Sequence, residues 1–261
     1  MKLRAYCTTV MLMVAFAVPL GTAQEITVAA ASDLQTAFQD VASRFQKETG
    51  KTVKLTFGSS GNFFAQIQNG APFDLFFSAD IDYPKRLEAA GLAEPGTLYS
   101  YATGSIVLWT PNESKLDLGL GLKVLLNPGI KKIAIANPAH APYGRAAVAA
   151  MQHENVYDQV APKFVLGENI SQTMSFVVSG SADIGVVALS LALSPALKGK
   201  GRYFEVPADT YPPIEQAAVV LKSSQNKETA RKFLDFLKTP SILDLLRTYG
   251  FSVPSHPPSA K

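Results

Sequence analysis

Ser32 and the pair Ser59-Ser60 are the side chains best placed to seat an anion, because each ends an apolar run and opens a helical one. Ile26-Thr27-Val28-Ala29-Ala30-Ala31 leads into Ser32-Asp33, and Val53 to Phe57 leads into Gly58-Ser59-Ser60-Gly61-Asn62. A serine at such a junction reads as a helix N-cap. The first backbone N–H groups of a helix have no intrahelical acceptor, so hydroxyl and N–H donors gather where the dipole already favours negative charge. The plain alternative is ordinary capping, for which Ser before Asp is commonplace. Recurrence favours a site, and two further junctions extend it: Pro142-Tyr143-Gly144 and Asn169-Ile170-Ser171.

None of the four junctions holds a lysine, and Arg145 alone stands beside one. Donors without a compensating cation suit a fully deprotonated oxyanion, which only accepts hydrogen bonds. Asp33 sits awkwardly beside such a guest. Early in a helix its carboxylate is favoured by the dipole and is expected to point away. The other reading has it accept a proton from a protonated guest such as hydrogen phosphate.

Enzymatic readings find little. There is no Gly-x-Ser-x-Gly elbow, no Walker loop and no His-Glu-x-x-His helix, and His153-Glu154 lacks its second histidine. His140, His153 and His256 have no metal-ligand spacing; only His140 falls in a candidate junction, at its edge. A secreted hydrolase or transferase using Ser60 as nucleophile would need a base within reach, and the sequence offers none. Trp109 and the pair Phe76-Phe77 read as core.

The elements that must position these junctions alternate. Leu34, Ala37, Phe38, Val41, Ala42 and Phe45 fall at helical spacing after the first strand, and Gly50 closes that helix. A buried strand at Asp74 to Ala79 and a helix from Tyr83 to Ala90 complete a β-α-β-α-β-α order, which favours a parallel sheet flanked by helices. Tyr101 to Trp109 reads as one further strand. After the break at Pro111 to Gly121 and a short helix at Leu122 to Leu126, a second series follows. It has strands at Ile133 to Ala136, Lys163 to Leu166 and Asp183 to Ala188, with helices from Arg145 to Met151 and Gln172 to Val178. A strand at Ala217 to Leu221 and helices at Lys227 to Leu237 and Ser241 to Tyr249 end the pattern, and Phe251 to Lys261 is expected to fray.

With 261 residues, 47% hydrophobic and 17% charged, the chain can fold compactly as one α/β unit or as two lobes. Lys2 and Arg4, an apolar run from Ala5 to Val18, Pro19 and then Gly21-Thr22-Ala23 read as an export signal over residues 1–23, cleaved after Ala23. The run is too short for a membrane span. Removing it takes two of the 24 basic side chains, against 21 acidic ones, so the remainder is nearly neutral and has no basic patch for nucleic acid. Cys7 goes with the signal, which leaves no disulfide, thiolate or cysteine metal chemistry and lies too early for a lipoprotein cysteine.

Taken together, Ala29-Ala30-Ala31-Ser32, Phe57-Gly58-Ser59-Ser60, the run Gly70 to Asp80, Asn137-Pro138-Ala139-His140, Asp183-Ile184-Gly185-Val186-Val187 and Tyr249-Gly250-Phe251 resemble the periplasmic molybdate-binding proteins of ABC importers, of the type 2 periplasmic binding fold. The similarity runs from about Glu25 to Ser252. It implies a two-lobe α/β fold, each lobe a mostly parallel sheet flanked by helices, with residues 24–103 plus 216–261 as lobe 1 and 104–215 as lobe 2, joined by crossovers near Thr103 and Ile214. The implied ligands are molybdate and tungstate, held by Ser32, Ser60, Tyr143 and Ile170, with Asp33 contributing at most its backbone N–H. These residues would touch the oxyanion's oxygens rather than the metal.

One branch of the family takes a tyrosine hydroxyl from the strand ending at Val187, where this chain has Ala188; another takes it from the Ala-Pro-Tyr-Gly turn, kept here as Ala141-Pro142-Tyr143-Gly144. Tyr143 is therefore expected to offer both N–H and hydroxyl. The resemblance further implies a periplasmic, monomeric, cofactor-free binding protein and an ABC permease as its partner. Phosphate or sulfate binding is the alternative within the same class.

Overall fold

The computed structural model describes residues 25–254; the expected signal, residues 1–23, and the last seven residues lie outside the described residues. Ten strands form two five-stranded sheets of like plan. In the first, β1 (Glu25–Ala31) lies between β2 (Thr52–Gly58) and β3 (Leu75–Ser78), all parallel. Their returns run through α1 (Gln35–Thr49) and α2 (Ser60–Gln68), while α3 (Asp82–Ala89) leads on to β4 (Tyr99–Gly104). Beside β3 comes β10 (Ile214–Val220), antiparallel both to it and to β4.

The second sheet repeats this order. There β6 (Ile133–Ala136) lies between β7 (Phe164–Gly167) and β8 (Ile184–Ala188), and β5 (Ile106–Pro111) runs antiparallel between β8 and β9 (Gly201–Glu205). In each sheet four strands run one way and one runs against them, so the sheets are mostly parallel. The helices here are α4 (Pro142–His153), α5 (Tyr157–Val160), α6 (Ile170–Val178) and α7 (Leu189–Ala192). Finally, α8 (Lys227–Leu237) and α9 (Pro240–Thr248) pack back on the first sheet.

The chain crosses between sheets twice, at Gly104-Ser105 and between Glu205 and Ile214. The first crossing divides what the sequence reads as one strand from Tyr101 to Trp109. The apolar run is continuous there because both flanking strands are buried, so nothing in its pattern marks the change of sheet. Similarly, Gly201–Glu205 carries no strand pattern in the sequence because it is a half-exposed edge with polar residues.

Periodicity explains the helices well. Ala37, Phe38, Val41 and Phe45 bury one face of α1, and Gly50 ends it in the left-handed region at φ 72°. Phe38 and Phe45 meet Phe233 of α8 edge-on, with Phe77 of β3 in the same cluster. Trp109, Phe76 and Phe77 are all core residues. Among the described residues, no helix is long and apolar enough to cross a membrane.

Candidate functional site

All four junctions meet. A small cavity is lined by Ser32, Asp33 and Ser60 from the first sheet's side and by Pro142, Tyr143 and Ile170 from the second's. Its free volume of about 10 Å³ is close to the least that holds one water, so the cavity suits a small guest and not a sugar or peptide. Among the described residues, neither lysine nor arginine lines it. The wider groove outside is lined by Asp80, Asp82 and Glu215 together with Lys85 and Arg145, and its arginine is tied to Asp80.

On the first side the donors are hydroxyls. Ser60, at the first position of α2 and fully buried, accepts a hydrogen bond at Oγ from the Ala79 N–H at 2.9 Å. Because that bond occupies the oxygen as acceptor, the hydroxyl proton is left to donate into the cavity. Ser32 behaves alike, its Oγ accepting from the Ser171 N–H at 3.3 Å. The structure corrects its expected role as N-cap: Ser32 to Leu34 form a 3-10 turn before α1, and the Ser32 side chain does not cap its own helix. The cap at the second junction is Ser59, which accepts from the Asn62 N–H, and not its neighbour.

On the second side the donors belong to the backbone. Tyr143 and Ile170 occupy the first turns of α4 and α6, where helix geometry leaves N–H groups without intrahelical acceptors. Pro142 opens α4 with its φ preset and no N–H to satisfy, so Tyr143 supplies the first N–H of that helix. Asn169 caps α6 by accepting from the Gln172 N–H at 3.0 Å, and Ser171 gives its own N–H to Ser32, which leaves the Ile170 N–H for the cavity. Gly144 makes the first turn of α4 possible, since a Cβ there would stand 2.1 Å from the Ala136 carbonyl oxygen.

Beneath the cavity the structure departs from expectation. Asp33 is 1% exposed and does not point away to solvent. Its Oδ2 accepts from the Tyr143 hydroxyl at 2.9 Å and from Gln216 Nε2 at 2.6 Å, while Oδ1 is buried without a partner. Burial pushes this carboxyl up to about 6, against the donations from Gln216 and Tyr143 that favour the charge. The Tyr143 hydroxyl also accepts from Gln216 Nε2 at 3.0 Å, so its one proton is spent on Asp33 and none remains for an anion. Gln216 accepts in turn from Tyr101 at 2.8 Å. Gly104 is required by this cluster, because a Cβ at the crossover would lie 2.1 Å from the Tyr143 hydroxyl.

Around the rim the halves are tied together. His140 takes more than an edge position: its Nδ1 shares a hydrogen bond with Ser59 Oγ at 2.9 Å and its carbonyl accepts from the Gly61 N–H at 2.9 Å. Glu168 lies 3.5 Å from its Nε2. Ser171 donates to Gln35, Ser190 donates to the Asp33 carbonyl, and Arg145 pairs with Asp80. As for nucleophilic chemistry, His140 engages Ser59 and not Ser60, whose Oγ bonds the Ala79 amide.

A family profile of bacterial extracellular solute-binding proteins matches residues 26–252. The chain is 39% identical to the molybdate-binding protein of Rhodobacter capsulatus, covering 95% of this chain and 96% of that one. To the molybdate-binding protein of Azotobacter vinelandii it is 38% identical over 88% and 91%. The solved periplasmic molybdate-binding protein of Azotobacter vinelandii superposes with a TM-score of 0.84 at 36% identity, over 88% of this chain and all of that one. A sulfate-binding protein of Mycobacterium tuberculosis shares the fold at 18% identity and a TM-score of 0.73.

Proposed function

The chain belongs to the bacterial extracellular solute-binding protein family, and from that premise we propose that it captures molybdate, and tungstate with it, outside the cytoplasmic membrane. The observation that carries the reading is the cavity of neutral donors without a cation, in a chain this similar to molybdate-binding relatives. In this reading the anion's oxygens accept from the hydroxyls of Ser32 and Ser60 and from the N–H groups of Tyr143 and Ile170. In the same reading, with β4 and β10 both in the first sheet, the lobes run over 25–104 with 214–254 and over 105–213, one or two residues from the expected bounds at 103/104 and 215/216. The guest bridges them, and the closed form is what an ABC permease recognises. Export to the periplasm follows from the signal over residues 1–23.

Selection works by size. Sulfate carries the same charge on a smaller tetrahedron, so donors spaced for molybdate leave one or more of their number unpaired. Each buried orphan costs on the order of 1–3 kcal/mol. Titration calorimetry with molybdate, tungstate, sulfate and phosphate tests this. Tight binding of the first two and far weaker binding of the others is expected; a preference for phosphate or sulfate overturns the reading.

A further inference from the structure

We propose that Asp33 is a specificity-determining residue that meets the oxyanion as a neutral carboxylic acid, donating through Oδ1–H, so that each doubly negative guest is captured together with one proton. This rests on the oxyanion reading of the cavity.

The geometry assigns the proton to one oxygen. Oδ2 already accepts two hydrogen bonds, from Tyr143 and Gln216, whereas Oδ1 is fully buried, belongs to a residue lining the cavity and has no partner. An ionised Asp33 would set a charge against a dianion in a site lined by no cation, where water cannot screen the repulsion. A protonated one turns an orphaned acceptor into one more donor. No covalent step is involved; the proton comes from solvent.

Besides Gln216 and Tyr143, the backbone N–H groups of Asp33 and Leu34 favour its charge, more weakly than either, and none of these outweighs burial. From β4 comes Tyr101 and from α4 Tyr143, phenols that burial and the neighbouring carboxylate push well above their usual range, so both keep their protons. From β10 comes the neutral Gln216, and from α7 Ser190, which donates to the backbone carbonyl. His140 reaches only the rim, through Ser59 and Glu168, and Arg145 is paired with Asp80. Burial already holds the Asp33 carboxyl at about 6, and a dianion beside it raises it further. The consequence is selective: a fully deprotonated tetrahedral anion accepts from the acid, while hydrogen phosphate presents an O–H that the acid cannot use.

Calorimetric titration of the protein with molybdate, between about pH 6.5 and 8.5 and in buffers of differing ionisation enthalpy, tests the inference. The expected result is affinity that weakens by up to about tenfold per pH unit, with buffer-dependent heats equivalent to one proton taken up per anion. Asp33→Asn should bind tightly with a flat pH profile, and His140→Gln should keep the wild-type slope. A flat wild-type profile without proton uptake overturns the inference, as does a slope that disappears with His140. So does a loss of more than a hundredfold in Asp33→Asn that shows the charge itself to be needed. If sulfate or phosphate binds in place of molybdate, the functional reading fails first, and the same pH series on that anion still decides. Binding that tightens as pH rises makes Asp33 an acceptor and overturns the inference. Absence of binding by every anion at every pH overturns both.

Discussion

The two halves of the cavity wall reach the same end by different means. The first sheet's half offers side-chain hydroxyls, Ser32 and Ser60, whose oxygens are occupied by amides. The second sheet's half offers backbone N–H groups at the starts of α4 and α6. Hydroxyl donors can be deleted by one substitution and read as a motif, whereas backbone donors survive nearly any side chain and depend on the helix starting in the right place. A site built from both is therefore sensitive to sequence on one wall and to backbone geometry on the other.

The largest expected effect breaks the backbone half. In Gly144→Val the new Cβ would overlap the Ala136 carbonyl, backbone against backbone, with no flexible group able to yield. A loss of more than about 4 kcal/mol is expected in chemical unfolding, beyond the ordinary range for a point change. Retained stability with retained binding would show that α4 need not start where it does.

Next comes the buried acid between the halves. The folded Asp33 carboxyl holds its proton to about pH 6, while the unfolded value is 3.8. The folded state therefore binds more protons between those limits. The resulting contribution to stability is complete below pH 3.8, is lost as pH rises to about 6 and stays lost above. An asparagine side chain never ionises, so Asp33→Asn should stabilise the ligand-free protein near pH 7.5 by on the order of 2–3 kcal/mol. Thermal unfolding of both forms across pH checks this, and the gap should close below about pH 4.

A matched pair sharpens the comparison itself. Ser60→Ala removes a hydroxyl donor, and a binding loss of about 1–3 kcal/mol corresponds to roughly five- to 150-fold weaker anion binding, beside the stability lost with the orphaned Ala79 N–H. Ile170→Pro removes one N–H at a position where helices accept proline, after an extended Asn169. A loss of similar size is expected, on top of some stability from the buried isoleucine. Calorimetry on both variants compares the walls directly, and an unchanged affinity in either removes that residue from the anion's contacts.

The smallest effect lies at the rim. Arg145 and Asp80 are both partly exposed, so Arg145→Ala should cost under about 1 kcal/mol in stability and little in affinity. A tenfold or greater loss of anion binding would place the arginine's charge in the site and undo the neutral-donor account.

Much of this molecule was legible along the chain. The strand-to-helix junctions, Gly50 as a helix stop and the faces of α1 and α8 follow from local pattern, and the candidate residues Ser32, Ser60, Tyr143 and Ile170 do line one cavity. Gln216 was not legible. It reads as a polar residue beside a late strand, and its function as the donor under the site arises from contacts 73 and 183 residues away in sequence. The split of Tyr101 to Trp109 was hidden too, because hydrophobicity reports burial and not which sheet does the burying.

By itself, then, the sequence determined where donors could form, since helix starts, caps and glycine turns depend on a few consecutive residues. Only the tertiary structure decided that these donors face one another, that Ser32 serves a neighbouring helix and not its own, and that the Tyr143 hydroxyl turns down toward Asp33. Those outcomes depend on how two sheets close together, and contacts between residues far apart in the chain leave no periodic trace in it.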